Sequence, residues 1–228
     1  MPSVPVTALV ALLQVGILAV LAVAVRQGNT AAAVNALAAF ALAVLPTALA
    51  WLGAVVLSGP ALPLWLAAAG LLHSVGMLGP YDSVWWWDHL THTLSAALVA
   101  ALVYAAALVA LPAVGLGADP ATVAGVTVGL TFGAGVFWEL VEILARALGE
   151  RYDVEPVLVH YGWRDTAVDL VFDVVGAALV VALDVRAFLG LAERFPGASR
   201  ALLLVGGALL AGSAVVGLLV WLRVSLRE

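Results

Sequence analysis

Residues 88–111 read DHLTHTLSAALVAALVYAAALVAL. Beyond His92 the stretch carries no charged residue, and it is long enough to cross a bilayer's hydrocarbon core as a helix, which takes about 20 apolar residues. Its Leu, Ala and Val residues follow one another instead of alternating with polar ones, which favours a helix over a strand of an outer-membrane barrel. The polar residues are confined to the entrance. Asp88, His92 and Ser95 fall three and four positions apart and so share one helix face, with His89 flanking them. A membrane span that opens on an acid–histidine stripe is the pattern on which the rest of the chain is read.

Outward from it, similar apolar segments lie at about 7–25, 31–57, 61–78, 121–148, 165–183 and 200–222. The expected fold is all-α, a polytopic transmembrane bundle of about seven spans, six at the fewest, forming one membrane domain over residues 1–228. Turn residues mark the breaks: Gln27-Gly28-Asn29, Ser58-Gly59-Pro60 and Gly79-Pro80. Asp119-Pro120 reads as an N-cap followed by proline at the first helical position. Met1 to Val6 holds no basic residue, so the first segment reads as a retained helix and not as a signal peptide. The stretch 184–199 mixes Phe188, Leu189, Leu191 and Phe195 with charges, a composition suited to lying along the interface.

Composition agrees. Of 228 residues, 65% are hydrophobic and 10% charged, against roughly 45–50% and about 25% in a soluble domain. A soluble fold of this size could not cover so much apolar surface. Cysteine is absent, which removes disulfides and thiolate metal ligation. The net charge of −5 gives no reason to expect nucleic acid as a partner. The bilayer is the expected partner, in the plasma membrane of a prokaryote. With the N-terminus outside, the inner segments hold Arg26, Arg146, Arg151, Arg164, Arg223 and Arg227, and the outer ones Arg186, Arg194 and Arg200. That distribution favours N-out, C-in. Small residues such as Gly133, Gly135, Gly206, Gly207 and Gly212 permit close helix contact, within the chain or in a homo-oligomer.

In an up-and-down chain the end of the third span, the start of the fourth, the end of the fifth and the start of the sixth share one membrane face. His73, Asp88, His89, His92, Glu139, Glu142, Asp165, Asp169 and Asp173 therefore gather at one level, with His160 in the connecting loop. Glu139 and Glu142 form a second stripe, with Arg146 one turn beyond, and Asp165, Asp169 and Asp173 a third at steps of four. An Asp at a helix centre costs about 2.5–3.5 kcal/mol on insertion. Asp169, Asp173, Glu139 and Glu142 together cost on the order of 10 kcal/mol unless neutralised or hydrated.

Structural readings compete for some of these residues. Asp88 and Asp165 open helices and read equally as N-caps. Trp85, Trp86 and Trp87 read as an interfacial belt, and His73 and His160 as interfacial polar residues. Glu142 with Arg146 reads as a pair at i, i+4. Asp169, Asp173 and Glu139 lie too deep for caps, so their structural alternative is a polar network holding helices together.

Asp88-x-x-x-His92 with Ser95, then Trp138-Glu139-x-x-Glu142, then Asp165-Thr166-x-x-Asp169-Leu170-x-x-Asp173 followed by Gly176-Ala177, make an ordered set within residues 81–178. This set resembles the YjdF-like family of bacterial and archaeal membrane proteins, and more loosely the VanZ-like proteins. The family often carries an acid just after the glycine preceding the Asp-Thr pair, whereas here Gly162 is followed by Trp163 and Arg164. The resemblance implies a membrane fold and a site more than a reaction.

Three functions are compatible with the cluster. The first is a divalent-metal site for Zn, Mn or Fe, with His89, His92, Glu139, Glu142, Asp169 and Asp173 as ligands and Asp88, Asp165, Ser95 and Arg146 as secondary candidates. A metal with an open position would activate water against a lipid or lipid-linked ester or phosphate. The second is a proton- or cation-coupled carrier using the carboxylates as a relay. The third is a membrane scaffold whose polar network only fixes packing.

Overall fold

The computed structural model describes residues 4–53, 59–117, 119–154, 156–158 and 161–225; His160 lies outside them. Among the described residues there are nine helices and no strand: α1 Val4–Gln27, α2 Thr30–Trp51, α3 Ala61–Gly76, α4 Pro80–Ser83, α5 Trp87–Ala113, α6 Pro120–Tyr152, α7 Trp163–Ala182, α8 Leu189–Arg194 and α9 Pro196–Ser225. Each apolar segment read from the sequence contains a helix; of the second, α2 covers the part up to Trp51, and residues 54–57 lie outside the described residues. Five of these, α1, α2, α5, α6 and α9, are long and apolar enough to cross a membrane. The other two differ in kind. At 16 residues α3 is short for a span, and α7 carries Arg164, Asp165, Asp169 and Asp173.

Boundaries follow local chemistry. Asn29 caps α2 by accepting from the Ala32 amide at 2.8 Å. Asp119 caps α6 by accepting from the Thr122 amide at 2.9 Å, with Pro120 next. Asp88 and Asp165 are not caps: α5 and α7 have Trp86 and Gly162 at that position, which leaves both acids in the first turn. The α6 helix spans 33 residues, about 50 Å, so its last turns extend past a hydrocarbon core of about 30 Å.

The helices pack in two groups. Ile17, Val20, Ala36, Ala43 and Ala67 form the core of α1, α2 and α3. The second core surrounds α5, whose alanines let α6, α7, α8 and α9 approach closely. Of its most apolar stretch, 61% is buried, against 6% for α9, so α5 is the central helix and α9 faces outward. Phe188, placed by composition at the interface, is instead buried in this core, 6.0 Å from the Trp65 ring. The groups meet where α3 packs on α5. Two indole N–H groups tie them: Trp65 donates to the Leu94 carbonyl at 3.0 Å and Trp87 to the Leu72 carbonyl at 3.2 Å. Trp87 is thus part of a helix joint, while Trp85 and Trp86 remain exposed. Gly133 abuts Leu210 and Gly206 abuts Leu130, so these small residues serve the α6–α9 contact within the chain.

Candidate functional site

The α5–α7 joint builds the site. Gly176 faces the Thr93 carbonyl so closely that a Cβ would lie 2.5 Å from that oxygen. This approach brings the polar entrance of α5 against the acidic stripe of α7. His92 lies between two carboxylates of α7, one at each ring nitrogen. Its Nδ1 is 3.1 Å from Asp173 Oδ1, and its Nε2 is 4.0 Å from Asp169 Oδ1. Asp88, one turn earlier on α5, places Oδ1 3.8 Å from the same Nε2. With Nδ1 protonated, the ring donates to Asp173 and directs the Nε2 lone pair at the space between Asp88 and Asp169.

One ligand atom each from Asp88, His92 and Asp169 falls within 4.8 Å of the others. Asp169 is 2% exposed, and among the described residues its Oδ1 accepts no hydrogen bond. Leaving a buried polar group unsatisfied costs about 1–3 kcal/mol, and more for a charged one. His89 packs behind this group. Its ring stacks on Phe172 at 4.4 Å, and its Nδ1, also without a hydrogen bond, is 4.0 Å from Asp169 Oδ1.

The remaining candidates surround this centre. Glu139 is buried and accepts from the Thr166 hydroxyl at 2.7 Å, which links α6 to α7. Gly135, one turn before it, leaves room for the Asp173 carboxylate. Glu142 accepts from the Trp138 indole at 2.8 Å. Arg146, placed by spacing beside Glu142, forms an exposed ion pair with Glu150 at 2.9 Å.

The centre opens on a cavity of about 530 Å³ lined by α2, α3, α5, α6 and α7. Asp88, His92, Ser95, Glu142 and Asp173 line it. So does a hydrogen-bonded string that sequence reasoning missed. Thr91 Oγ1 is 3.4 Å from Asp88 Oδ1 and 3.4 Å from the Tyr81 hydroxyl. Tyr81 in turn lies 2.7 Å from His73 Nδ1, and His73 Nε2 is 3.1 Å from Asn35 Oδ1. His73 is therefore part of the cavity wall. Asn35 also donates to the Val157 carbonyl, and Tyr161 donates to Asp82 at 2.7 Å, so the loop between α6 and α7 is fastened to both α2 and α4. Burial raises the Tyr81 hydroxyl well above its ordinary pKa, which keeps it protonated and able to donate. A lone amide inside the Ala/Leu-rich α2 was the signal available for Asn35.

The family described as Predicted membrane protein (DUF2238) matches residues 8–189, a span that takes in the whole cluster. Neither the curated proteins nor the solved structures yielded a match.

Proposed function

The chain belongs to the DUF2238 family of membrane proteins, the YjdF family of the resemblance above, and we propose that its polar cluster is a divalent-metal site. Asp88, His92 and Asp169 are the ligands. Asp173 orients His92 through its second nitrogen, the carboxylate–histidine arrangement that fixes tautomer and ring direction in metal sites. The single observation that carries this reading is the buried Asp169 oxygen, which has no hydrogen bond among the described residues and faces two imidazole nitrogens at 4.0 Å. A cation supplies the missing partner and offsets the cost of burying several acids in one place. One nitrogen and two oxygen ligands suit Zn, Mn or Fe. His89, 4.0 Å from Asp169, is the further imidazole beside the set, with Glu139 and Glu142 as additional acids of the cluster. Three ligands leave a position open toward the cavity, where a bound metal would polarise an ester or phosphate or activate water. Asp165, Ser95 and Arg146 are outside the ligand set. The cluster lies at the end of the bundle where the Arg count is higher, which supports a cytoplasmic position with the N-terminus outside.

The test is elemental analysis of protein purified without chelator, beside Asp169→Asn and Asp173→Asn. Wild type should carry close to one divalent ion per chain. Asp169→Asn should lose it, and Asp173→Asn should retain it with affinity about 10–100-fold lower, the usual effect of removing an orienting partner. Metal absent from wild type, or equal in all three, would sink the reading.

The string from Asp88 through Thr91, Tyr81 and His73 to Asn35 favours a second reading, a proton relay serving a carrier. It runs across one face of the bundle, whereas transport requires continuation to the other. Among the described residues the next buried polar group along α6 past Thr131 is Thr127, whose hydroxyl returns to its own helix at the Val123 carbonyl.

A further inference from the structure

The cavity has a second end that metal binding leaves unused. Asn35, His73 and His92 mark its polar end. Seven residues further into the bundle on the same three helices stand Leu42, Leu66 and Val99, all lining the cavity. At the rise of an α-helix this apolar arm is about 10 Å deep, a third of the roughly 30 Å hydrocarbon core. The whole volume falls within the roughly 300–1,000 Å³ of ordinary ligand pockets.

The wall is open on one side. Among the described residues α2 packs only on α1 and α3, and α6 only on α5, α7 and α9. Both nevertheless line the cavity, α2 with Ala38 and Leu42 and α6 with Ala134 and Trp138. Ala38, Leu42 and Trp138 are also exposed, which marks them as the rim of the gap between the two helices. Leu158 and Tyr161 of the α6–α7 loop lie across the polar end. The gap therefore looks sideways, at the depth of the apolar spans, where the surrounding medium is lipid.

We propose that this cavity binds a zwitterionic phospholipid, which enters from the bilayer between α2 and α6 and lays one acyl chain along the Leu42–Leu66–Val99 arm. The head group follows from charge. Among the described residues no Arg or Lys lines the cavity, while Asp88, Glu142 and Asp173 do. A purely anionic head would face these carboxylates with the metal as its one cation. A zwitterionic head has a partner for each charge: its phosphate oxygen meets the metal, and its ammonium meets the carboxylate of Glu142. The head-group placement rests on the metal reading above; the lateral entry and the chain-binding arm do not.

The experiment uses full-length protein in nanodiscs containing phosphatidylethanolamine with a diazirine in one acyl chain. After irradiation, label should concentrate on peptides bearing Leu42, Leu66 or Val99. Unlabelled phosphatidylethanolamine should compete about tenfold better than phosphatidylglycerol, a difference of about 1.4 kcal/mol. Ala38→Trp, which fills the rim, should lower cavity labelling by a similar factor, while Leu12→Trp, on the exposed face of α1, should not. Labelling spread evenly over outward residues such as Leu204, indifference to Ala38→Trp, or equal competition by the anionic lipid would each overturn the proposal. Elemental analysis of the same samples separates the two readings. Metal without cavity labelling overturns this inference and leaves the metal centre standing. Cavity labelling in metal-free protein upholds the lipid site and overturns the metal centre.

Discussion

Replacing Gly176 with alanine should loosen the joint on which the site is built. The added Cβ would lie 2.5 Å from the Thr93 carbonyl oxygen and 3.0 Å from the Ala97 amide nitrogen, and ordinary contact begins at 3.4 Å. These are backbone atoms of a helix and cannot rotate away, so α5 and α7 must separate by about 0.9 Å. Such overpacking costs about 1–3 kcal/mol. The opposing gain from alanine's better helix propensity is roughly 1 kcal/mol at most. The same displacement would stretch the His92–Asp173 contact, now 3.1 Å, beyond hydrogen-bonding range. Gly129→Ala on α6 is the control, since nothing lies within 4 Å of a Cβ there. Thermal unfolding in one detergent, with divalent-ion affinity by calorimetry, reads both consequences. Gly176→Ala should melt below wild type and bind metal about 10–100-fold more weakly, while Gly129→Ala should melt at or above wild type with unchanged affinity. If Gly176→Ala behaves like Gly129→Ala in both assays, the argument from close approach is wrong.

Two further substitutions probe the fold around the site. Asp119→Ala should lower the melting temperature by removing the cap of α6, and the loss should depend on pH. Hydrogen bonds from Thr122, first its hydroxyl and then its amide, hold the Asp119 carboxyl below its ordinary pKa. The cap is therefore fully present above the unfolded value of about 3.9 and disappears as pH falls through the depressed folded value. The gap between wild type and mutant should stay constant from neutral pH down to about 5 and shrink below about 4; a gap that widens on acidification contradicts the assignment. Tyr161→Phe should release the α6–α7 loop from Asp82. Its signature is faster tryptic cleavage at Arg151 or Arg164, with a stability change of only about 1 kcal/mol; unchanged cleavage would mean the loop is held elsewhere.

Much of the fold was legible because a membrane span is a one-dimensional property. Length and apolarity of a segment decide whether it can cross, and lipid leaves the backbone little choice but helix. Part of the cluster was legible for a related reason. Four-residue steps put Asp88 with His92 and Asp169 with Asp173 on shared faces whatever the helices do afterwards. The alternation of up and down then brought those faces to one end of the bundle. The same periodicity failed for Arg146, since two acids stand within one turn of it and spacing does not choose between Glu142 and Glu150. It was silent on the partners of His73, which are Tyr81 and Asn35 from separate helices.

The acid–histidine entrance to residues 88–111 was thus set by the sequence alone, as were the helical spans and the face on which the acids collect. Tertiary structure decided which carboxylate meets which imidazole nitrogen, that the Asp169 oxygen is buried without a hydrogen bond among the described residues, and that α2 and α6 stand apart around a cavity. The physical reason is range. Spans, caps and stripes depend on neighbours within a turn or two. A ligand set depends on separations of a few ångströms between helices, and these are fixed by small residues such as Gly176 and Gly135, whose consequence exists only when another helix lies against them.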